Sequence, residues 1–130
     1  MQNGFFGVVN GFYTVPDCVM LDCGREVPEE CEGELMRSYC GKKVFCLVKE
    51  EDACNKNGTQ VCRCHVLRLF GIGLVGGGVL CRIMRALGKA GICFYGASVS
   101  ECGIALALPR ESFSDALRIL SAELLEEERT

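Results

Sequence analysis

Val61–Phe70, VCRCHVLRLF, runs into the glycine-rich stretch Gly71–Gly78, GIGLVGGG, and then into Val79–Gly91, VLCRIMRALGKAG. The segments ICFYGAS, GIALALP and ESFSDALRILSAELLEEER follow in that order. The sequence from Val61 to Glu127 therefore indicates strand, glycine turn, helix, strand, strand and helix. This order predicts an α+β sandwich, with an antiparallel sheet and two helices on one of its faces.

Both predicted helices carry a one-sided apolar stripe. In the first helix the stripe consists of Val79, Leu80, Ile83, Met84 and Leu87. In the second it consists of Phe113, Ala116, Leu117, Leu120 and Leu124. Gly88 and Gly91 bracket the end of the first helix, where a left-handed residue is favoured. Ser112 and Asp115 form a capping-box pattern before the second helix.

The segment Gly103–Leu108 alternates small and large apolar residues. We expect Ile104, Leu106 and Leu108 to meet the helices, because side chains alternate between the two faces of a strand. The small residues between them would let the other half of the chain, or a second subunit, approach the opposite face closely.

The N-terminal half shows three short β-like runs, YTVPDCVMLDC, GELMRSYC and KKVFCLVKE, and no convincing long helix. The acidic, proline-containing segment Arg25–Gly33 separates two of them, and the polar segment Glu50–Thr59 reads as a loop. We therefore divide the chain into a helix-poor N-terminal half, residues 1–59, and a C-terminal α+β half, residues 60–130.

The composition excludes several classes of function. The chain has 130 residues, of which 49% are hydrophobic and 24% charged, as in one packed domain or two very small ones. A net charge of −3 gives no general attraction to nucleic acid or to a membrane surface. No apolar run approaches the roughly 20 residues of a membrane span, and no secretion signal is visible. We expect a cytoplasmic protein with neither nucleic acid nor membrane as partner.

The eleven cysteines are an odd number and follow no secretion signal, so a complete disulfide set is not expected. Cys46, Cys81 and Cys93 occupy positions typical of small apolar core residues. In Cys62-Arg-Cys-His65 the two thiols and the imidazole point to opposite sides of a strand, so this motif predicts no metal site. His65 is the single histidine, and nothing marks a nucleophile beside it. We predict neither catalysis nor a cofactor.

The run Gly71-Ile-Gly-Leu-Val-Gly76 matches the glycine spacing of a dinucleotide-binding turn between a strand and a helix. The acidic residue that should close the next strand is missing, because that strand ends Gly96-Ala97-Ser98. No lysine follows the glycines, which excludes a phosphate-binding P-loop. The turn would suit a carboxylate, because amide groups are free at a helix start. Equally, the glycines could serve only to make a tight turn.

The stretch Gly73–Leu120 resembles an ACT domain of the aspartate kinase regulatory type. The resemblance lies in the glycine turn, the helix exit ALGKAGI, the serine-bearing strand end and the pattern S-x-x-x-A-L-x-x-L of the second helix. The whole chain is similar to the small two-part bacterial ACT proteins, which are related to the CASTOR arginine sensors. There a helix-poor first half precedes a complete second ACT unit.

The resemblance implies a ferredoxin-like βαββαβ unit in tandem with a degenerate ACT-like half. Such units pair side by side, and an amino acid binds at the interface between them. Carried over to matching positions, the ligand site would comprise one glycine-turn segment and one strand end: Ile72, Gly73, Leu74, Val75 and Gly76, with Ser98, Val99, Ser100 and Glu101. Amide groups of the turn would bind the ligand carboxylate, while Ser98, Ser100 and Glu101 would read its amino group or side chain.

The last strand of this unit is missing after the second helix. Related proteins supply it from the first half, so we predict that Val15–Cys23, or alternatively Gly4–Asn10, completes the sheet. We expect a homodimer that senses an amino acid or a similar small ligand, and that regulates a metabolic enzyme or another regulator. The alternative is a protein–protein interaction module without a ligand. A thiol-based redox or metal protein is a third reading, motivated only by the cysteines.

Overall fold

The structure, a computed structural model, describes residues 7–24, 34–40, 43–53, 58–76 and 78–125. Its strands are β1 (Val8–Asp22), β2 (Glu34–Cys40), β3 (Lys43–Lys49), β4 (Thr59–Ile72), β5 (Gly96–Val99) and β6 (Gly103–Pro109). Its α-helices are α1 (Glu50–Ala53), α2 (Gly78–Lys89) and α3 (Phe113–Leu124), and short 3-10 turns at Leu74–Gly76 and Arg110–Ser112 precede the last two. The predicted loop at Arg25–Gly33 lies outside the described residues.

The chain forms two compact units. The larger unit takes its residues from Met1–Thr14 and Leu67–Thr130, and the smaller unit is Val15–Val66. This division differs from the predicted boundary between residues 59 and 60. The physical reason is that β1 and β4 are long strands, and each contributes one part to each unit. A boundary placed in the polar segment before β4 could not reveal this.

The larger unit is an α+β structure that agrees with the predicted order of elements. Its strands are hydrogen-bonded in the order β1, β4, β6, β5. β5 and β6 are antiparallel, with Gly96 opposite Ala107 and Val99 opposite Ile104. The chain passes from β4 through a 3-10 turn into α2, then through β5 and β6 into α3, as the sequence predicts.

The N-terminal half supplies the strand beside β4, as predicted, but not through the segment that we favoured. Residues 8–14 of β1 belong to the larger unit, whereas Val15–Asp22 lies in the smaller unit. The prediction that Val15–Cys23 completes the sheet of the larger unit was therefore wrong. The alternative segment, Gly4–Asn10, overlaps the observed strand at residues 8–10, and its residues 4–6 lie outside the described part. The approach depends on glycine, because a Cβ at Gly71 would fall 1.9 Å from the Val8 carbonyl oxygen.

The core of the larger unit lies between the sheet and the two long helices. Ile104, Leu106 and Leu108 are within it, which confirms the predicted orientation of β6. The helices and β4 contribute most of the remaining buried residues: Leu67, Leu69, Leu74, Val79, Ile83, Leu87, Ala116, Leu120 and Leu124. Met84, predicted to belong to the stripe, is 52% exposed, because the buried face of α2 is narrower than its apolar face.

The ends of the helices agree only partly with the predicted signals. Gly91 has a φ of +72°, and the amide of Ile92 donates to the Leu87 carbonyl oxygen at 2.9 Å, so α2 ends in the expected left-handed turn. Ser112 stands at the start of α3 but makes no capping hydrogen bond with its side chain. The capping-box prediction was wrong, because a 3-10 turn from Arg110 already leads into this helix.

The smaller unit contains β2, β3, part of β1 and part of β4, adjacent in that order. β1 and β3 are antiparallel, with Cys18 opposite Lys49 and Asp22 opposite Phe45. Its core includes Val19, Leu21, Val48 and Ala53. The predicted loop Glu50–Thr59 begins instead with α1, a single helical turn that buries Ala53; residues 54–57 lie outside the described part.

The cysteines are less uniformly buried than predicted. Cys46 is fully buried, in agreement with a role as a small core residue, but Cys81 and Cys93 are exposed. Cys81 lies outside the buried stripe of α2 and one turn before the exposed Arg85, so its apolar neighbours in the sequence were a misleading signal of burial. Among the described residues, no helix is long and apolar enough to cross a membrane.

A candidate ligand site at the glycine turn

The glycine turn connects β4 to α2 within the larger unit. Gly73 has a φ of +71°, a conformation that favours glycine, and the chain then enters the 3-10 turn Leu74–Gly76. Leu74 is fully buried and packs in the core, which anchors the turn. Ile72 and Val75, on either side, are 62% and 59% exposed. The buried Leu74 therefore fixes the turn, while Ile72 and Val75 are open to solvent.

Two hydrogen bonds join this turn to the turn between β5 and β6. The amide of Leu74 donates to the carbonyl oxygen of Glu101 at 3.0 Å, and the amide of Gly71 donates to that of Cys102 at 3.0 Å. The two segments that the resemblance nominates, separated by more than twenty residues in sequence, thus lie side by side. The Leu74 amide is already used here, so it is not available to a ligand carboxylate.

The second segment ends β5 and turns into β6. Ser98 pairs with Ala105 and is exposed, while Val99 pairs with Ile104 and packs against the core. The hydroxyl of Ser100 donates to the Gly103 carbonyl oxygen at 3.1 Å. The hydroxyl closes the turn through this bond, which competes with the direct ligand contact predicted for Ser100.

The N-terminal residues Gly7 and Val8 also contact the turn, a contact that the sequence pattern did not predict. A Cβ at Gly7 would lie 2.7 Å from the carbonyl oxygen of Gly73, and one at Gly71 would collide with Val8. Backbone therefore packs directly against backbone on this side of the turn. Gly7 was the available signal, because glycine often stands where another backbone approaches closely.

The chemistry of the two segments is that of a small polar site. Glu101 is the single ionisable side chain among the nine nominated residues, and it is exposed. The start of α2, with the 3-10 turn before it, offers amide groups and the positive end of a helix dipole. An anionic group would be favoured at the turn and a cationic group near Glu101, so the arrangement suits a zwitterion.

The other chemical residues singled out in the sequence lie in the smaller unit and take structural roles. Nδ1 of His65 accepts a hydrogen bond from the amide of Asp17 at 3.0 Å. This bond fits the structural histidine that the sequence favoured, and it supports the backbone where Asp17 has a φ of +55°. Cys64 is buried, and burial raises the pKa of the Cys62 thiol. Within the described residues, no three metal-ligating side chains come together.

Comparison with known proteins identifies the fold. The structure is similar to the regulatory subunit of aspartate kinase from Thermus thermophilus in its ligand-free form, with a TM-score of 0.72 and 16% identity over 89% of this chain and 97% of that one. The corresponding subunit from Thermus flavus gives a TM-score of 0.68 and 16% identity over 89% and 98%. The aspartate kinase of Clostridium acetobutylicum gives a TM-score of 0.70 and 12% identity over 95% of this chain and 36% of the enzyme.

These similarities cover 89 to 95% of this chain and show that it shares the α+β fold of those proteins. No family model matches the sequence, and no curated protein matches it either. TM-scores of 0.68 to 0.72 establish the fold, and identities of 12 to 16% leave the ligand open.

Proposed function

We propose that the chain is a non-catalytic regulatory module, which binds an amino acid where the glycine turn meets the β5–β6 turn of the larger unit. The observation that carries this proposal is the hydrogen bond between the Leu74 amide and the Glu101 carbonyl oxygen. It brings the anion-favouring turn and the carboxylate-bearing turn within one small region. The likeness of the fold to regulatory subunits of aspartate kinase supports a regulatory role.

The ligand carboxylate is assigned to amide groups beyond Leu74. Val75 is the second residue of the 3-10 turn Leu74–Gly76, and the first amides of such a turn lack partners in the turn itself. In the part of the chain that the structure describes, nothing lies within 4 Å of a Cβ built on Gly76, so a ligand can come close to its backbone. The ligand amino group is assigned to the exposed side chains of Ser98 and Glu101, and Ser100 keeps the hairpin turn closed.

A second copy of the chain completes the site in this proposal. β5 is the last strand in the order of the larger unit, so its outer edge has no neighbouring strand among the residues that the structure describes. An antiparallel edge strand can pair with another chain through its backbone groups. Ser98 would then lie next to the partner, and the ligand would be enclosed from two sides. Sedimentation velocity of the purified protein should show a dimer.

A thermal-shift screen tests the ligand. Reduced protein is heated with each of the twenty amino acids at millimolar concentration, and one or a few should raise the melting temperature. A ligand present at about 100 times its Kd would add roughly 2.7 kcal/mol to the free energy of unfolding. No shift across the panel, for a protein that melts cooperatively, would contradict the proposal.

Two matched variants locate the site. Ser98→Leu fills the exposed end of β5 and should abolish the shift, whereas Ser114→Leu makes the same change at an exposed position of α3 and should retain it. Gly73 is unsuitable for this purpose, because its positive φ would strain any larger residue. A shift that survives Ser98→Leu and Glu101→Ala together would place the ligand elsewhere.

A further inference from the structure

The sheet of the larger unit has a second face, turned away from α2 and α3. Leu67 and Leu69 of β4 point into the helix-packed core, so the alternate residues of this strand point to the other side. Those residues are Arg68, Phe70 and Ile72. Phe70 is 44% exposed and Ile72 is 62% exposed. Large apolar side chains therefore stand on the face that the helices do not cover.

Tyr13 of β1 joins this row and is 49% exposed. Its ring centroid lies 6.2 Å from that of Phe70, at an interplanar angle of 41°. The guanidinium carbon of Arg68 lies 6.0 Å from the centre of the Tyr13 ring, and Nη1 of Arg68 donates to the Tyr13 hydroxyl at 3.3 Å. We refer to the surface formed by Tyr13, Arg68, Phe70 and Ile72 as the Arg68 face.

Gly11 of β1 leaves room for the Phe70 ring of the Arg68 face. A Cβ at Gly11 would lie 2.6 Å from Cζ of Phe70, so the phenyl ring occupies the space in which another residue would carry its side chain. The ring is thus packed against the backbone of β1, although it is widely exposed. A preorganised aromatic side chain loses little conformational entropy when it is buried by a partner.

Beside this row, β6 contributes small residues, of which Gly103 and Ala105 are half-buried and Ala107 is fully buried. Ile104, Leu106 and Leu108 point towards the helices, so Gly103, Ala105 and Ala107 belong to the same side as Arg68. The accessible small residues beside the row of large side chains are therefore Gly103 and Ala105. A partner segment that lies along β6 could contact the aromatic rings from the side.

The charge of the Arg68 face indicates what it would bind. In the described strand segments of this unit, residues 8–14, 67–72, 96–99 and 103–109, Arg68 is the single charged side chain. Its Nε is buried and has no hydrogen-bond partner among the described residues. An approaching partner cannot reach this atom, but Arg68 as a whole is only half-buried, and arginine is suited to pair with a carboxylate. The missing component is an acidic group flanked by apolar surface.

We propose that the Arg68 face is a docking surface for a different protein, which presents a glutamate or aspartate between apolar side chains. A second copy of this chain fits poorly, because two-fold pairing of the face with itself would bring together two arginines and no acid. Tyrosine and arginine are also the residue types that contribute most to binding at protein interfaces. This inference goes beyond the proposed function and does not depend on the glycine turn.

A matched pair of blocked peptides tests the proposal on the full chain. One peptide is an extended leucine–valine segment with a central glutamate, and the other has glutamine in its place. Amide chemical shifts of the isotope-labelled protein are followed by NMR during titration to millimolar peptide. The glutamate peptide should shift the signals of Tyr13, Phe70 and Ile72, and it should bind about three- to fivefold more tightly than the glutamine peptide.

Substitutions separate this surface from the rest of the molecule. Arg68→Gln should remove the preference for glutamate, whereas Arg85→Gln, the same change on the exposed face of α2, should keep it. Phe70→Ser should weaken both peptides equally and leaves the arginine in place. The amino-acid response of the protein should be unchanged in Arg68→Gln, so the two proposals can fail separately.

Three outcomes would overturn the proposal. One is equal binding of the two peptides to the unmodified protein. Another is the absence of any shift at the Arg68 face at millimolar peptide. The third is concentration-dependent self-association that Arg68→Gln alters, which would show that the face joins two copies of this chain.

Discussion

Gly71 lies so close to Val8 that a Cβ built on Gly71 would fall 1.9 Å from the Val8 carbonyl oxygen. The atom it meets belongs to backbone, which cannot move aside as the end of a flexible side chain can. The two residues belong to β4 and β1 of the larger unit, at the point where β4 enters the glycine turn. Their contact makes a sharp stability test of the N-terminal strand.

Gly71→Ala should destabilise the protein by about 2 to 4 kcal/mol, since the added methyl group forces β1 away from β4. The measurement is urea unfolding followed by circular dichroism. Gly88→Ala is the matched control: nothing lies within 4 Å of its Cβ, and it sits in α2. That change should be neutral or stabilise by about 0.5 to 1 kcal/mol. Equal effects of the two substitutions would show that β1 does not pack as described.

A chain that begins at Gln60 should fail to fold cooperatively. It lacks Val9, which is buried in the core of the larger unit, and it leaves β4 without its neighbour on one side. We expect a broad, non-sigmoidal urea transition with weak near-ultraviolet circular dichroism. A fragment that unfolds as sharply and at the same denaturant concentration as the full chain would contradict the shared sheet.

Asp22 in the smaller unit should make stability depend on pH. The amide of Gly24 donates to its carboxylate at 2.9 Å and lowers its pKa; partial desolvation opposes this, and Lys43, 3.4 Å away, lowers the pKa further. Because the folded pKa lies below the unfolded value of about 3.9, the carboxylate stabilises the fold above about pH 4. That contribution is lost as the pH falls through the folded pKa.

Asp22→Asn should therefore lower the melting temperature at neutral pH and have progressively less effect below pH ~4. Thermal melts of both proteins between neutral and acidic pH provide the measurement. Lys43→Gln serves as the comparison and should reproduce a smaller part of the loss, because the Gly24 amide is the larger cause. A difference between Asp22→Asn and the parent that does not change with pH would contradict this role.

The thiols should react with an alkylating reagent in an order set by burial. Cys81, Cys93 and Cys102 are exposed and should react first. Cys62 is half-buried, and burial raises the pKa of its thiol, so its thiolate fraction at neutral pH is low. Cys62 should therefore react more slowly than the three exposed cysteines. Pulsed iodoacetamide labelling with peptide mass spectrometry gives the rates.

The fully buried thiols provide the internal control for that experiment. Cys18, Cys46 and Cys64 have no exposed surface and should react only after unfolding in urea. Rapid labelling of Cys64 in the folded protein would contradict the described β4.

The sequence predicts α2, α3 and the orientation of β6 well, because each has a strong local pattern that agrees with its packing. Ile83 belongs to an apolar pattern with the helix period and Leu106 to one with the strand period, and both side chains are fully buried. Met84 shows the limit of such reasoning, since the width of the buried face depends on what packs against it. The strand beside β4 was harder still: Val15–Cys23 has the stronger β pattern, but the contact depends on glycines at 7, 11 and 71.

The sequence predicts which two segments form the candidate site, but it does not predict how their atoms are arranged. Glycines before a helix and serines after a strand can be read from the sequence. Only the folded chain shows that the Leu74 amide and the Ser100 hydroxyl are used internally. The Arg68 face was invisible for the same reason, because Tyr13 and Arg68 are distant in sequence and meet only across β1 and β4.

The interleaving of β1 and β4 has a consequence for synthesis on the ribosome. Residues 8–14 emerge first, but the strand they pair with in the larger unit is made roughly sixty residues later, which at about 5 to 20 residues per second takes several seconds. During that interval the nascent β1 exposes unpaired backbone groups and apolar side chains such as Val9. Chaperones that hold extended apolar segments would therefore meet this protein early, and slowing translation between β1 and β4 should lower its soluble yield.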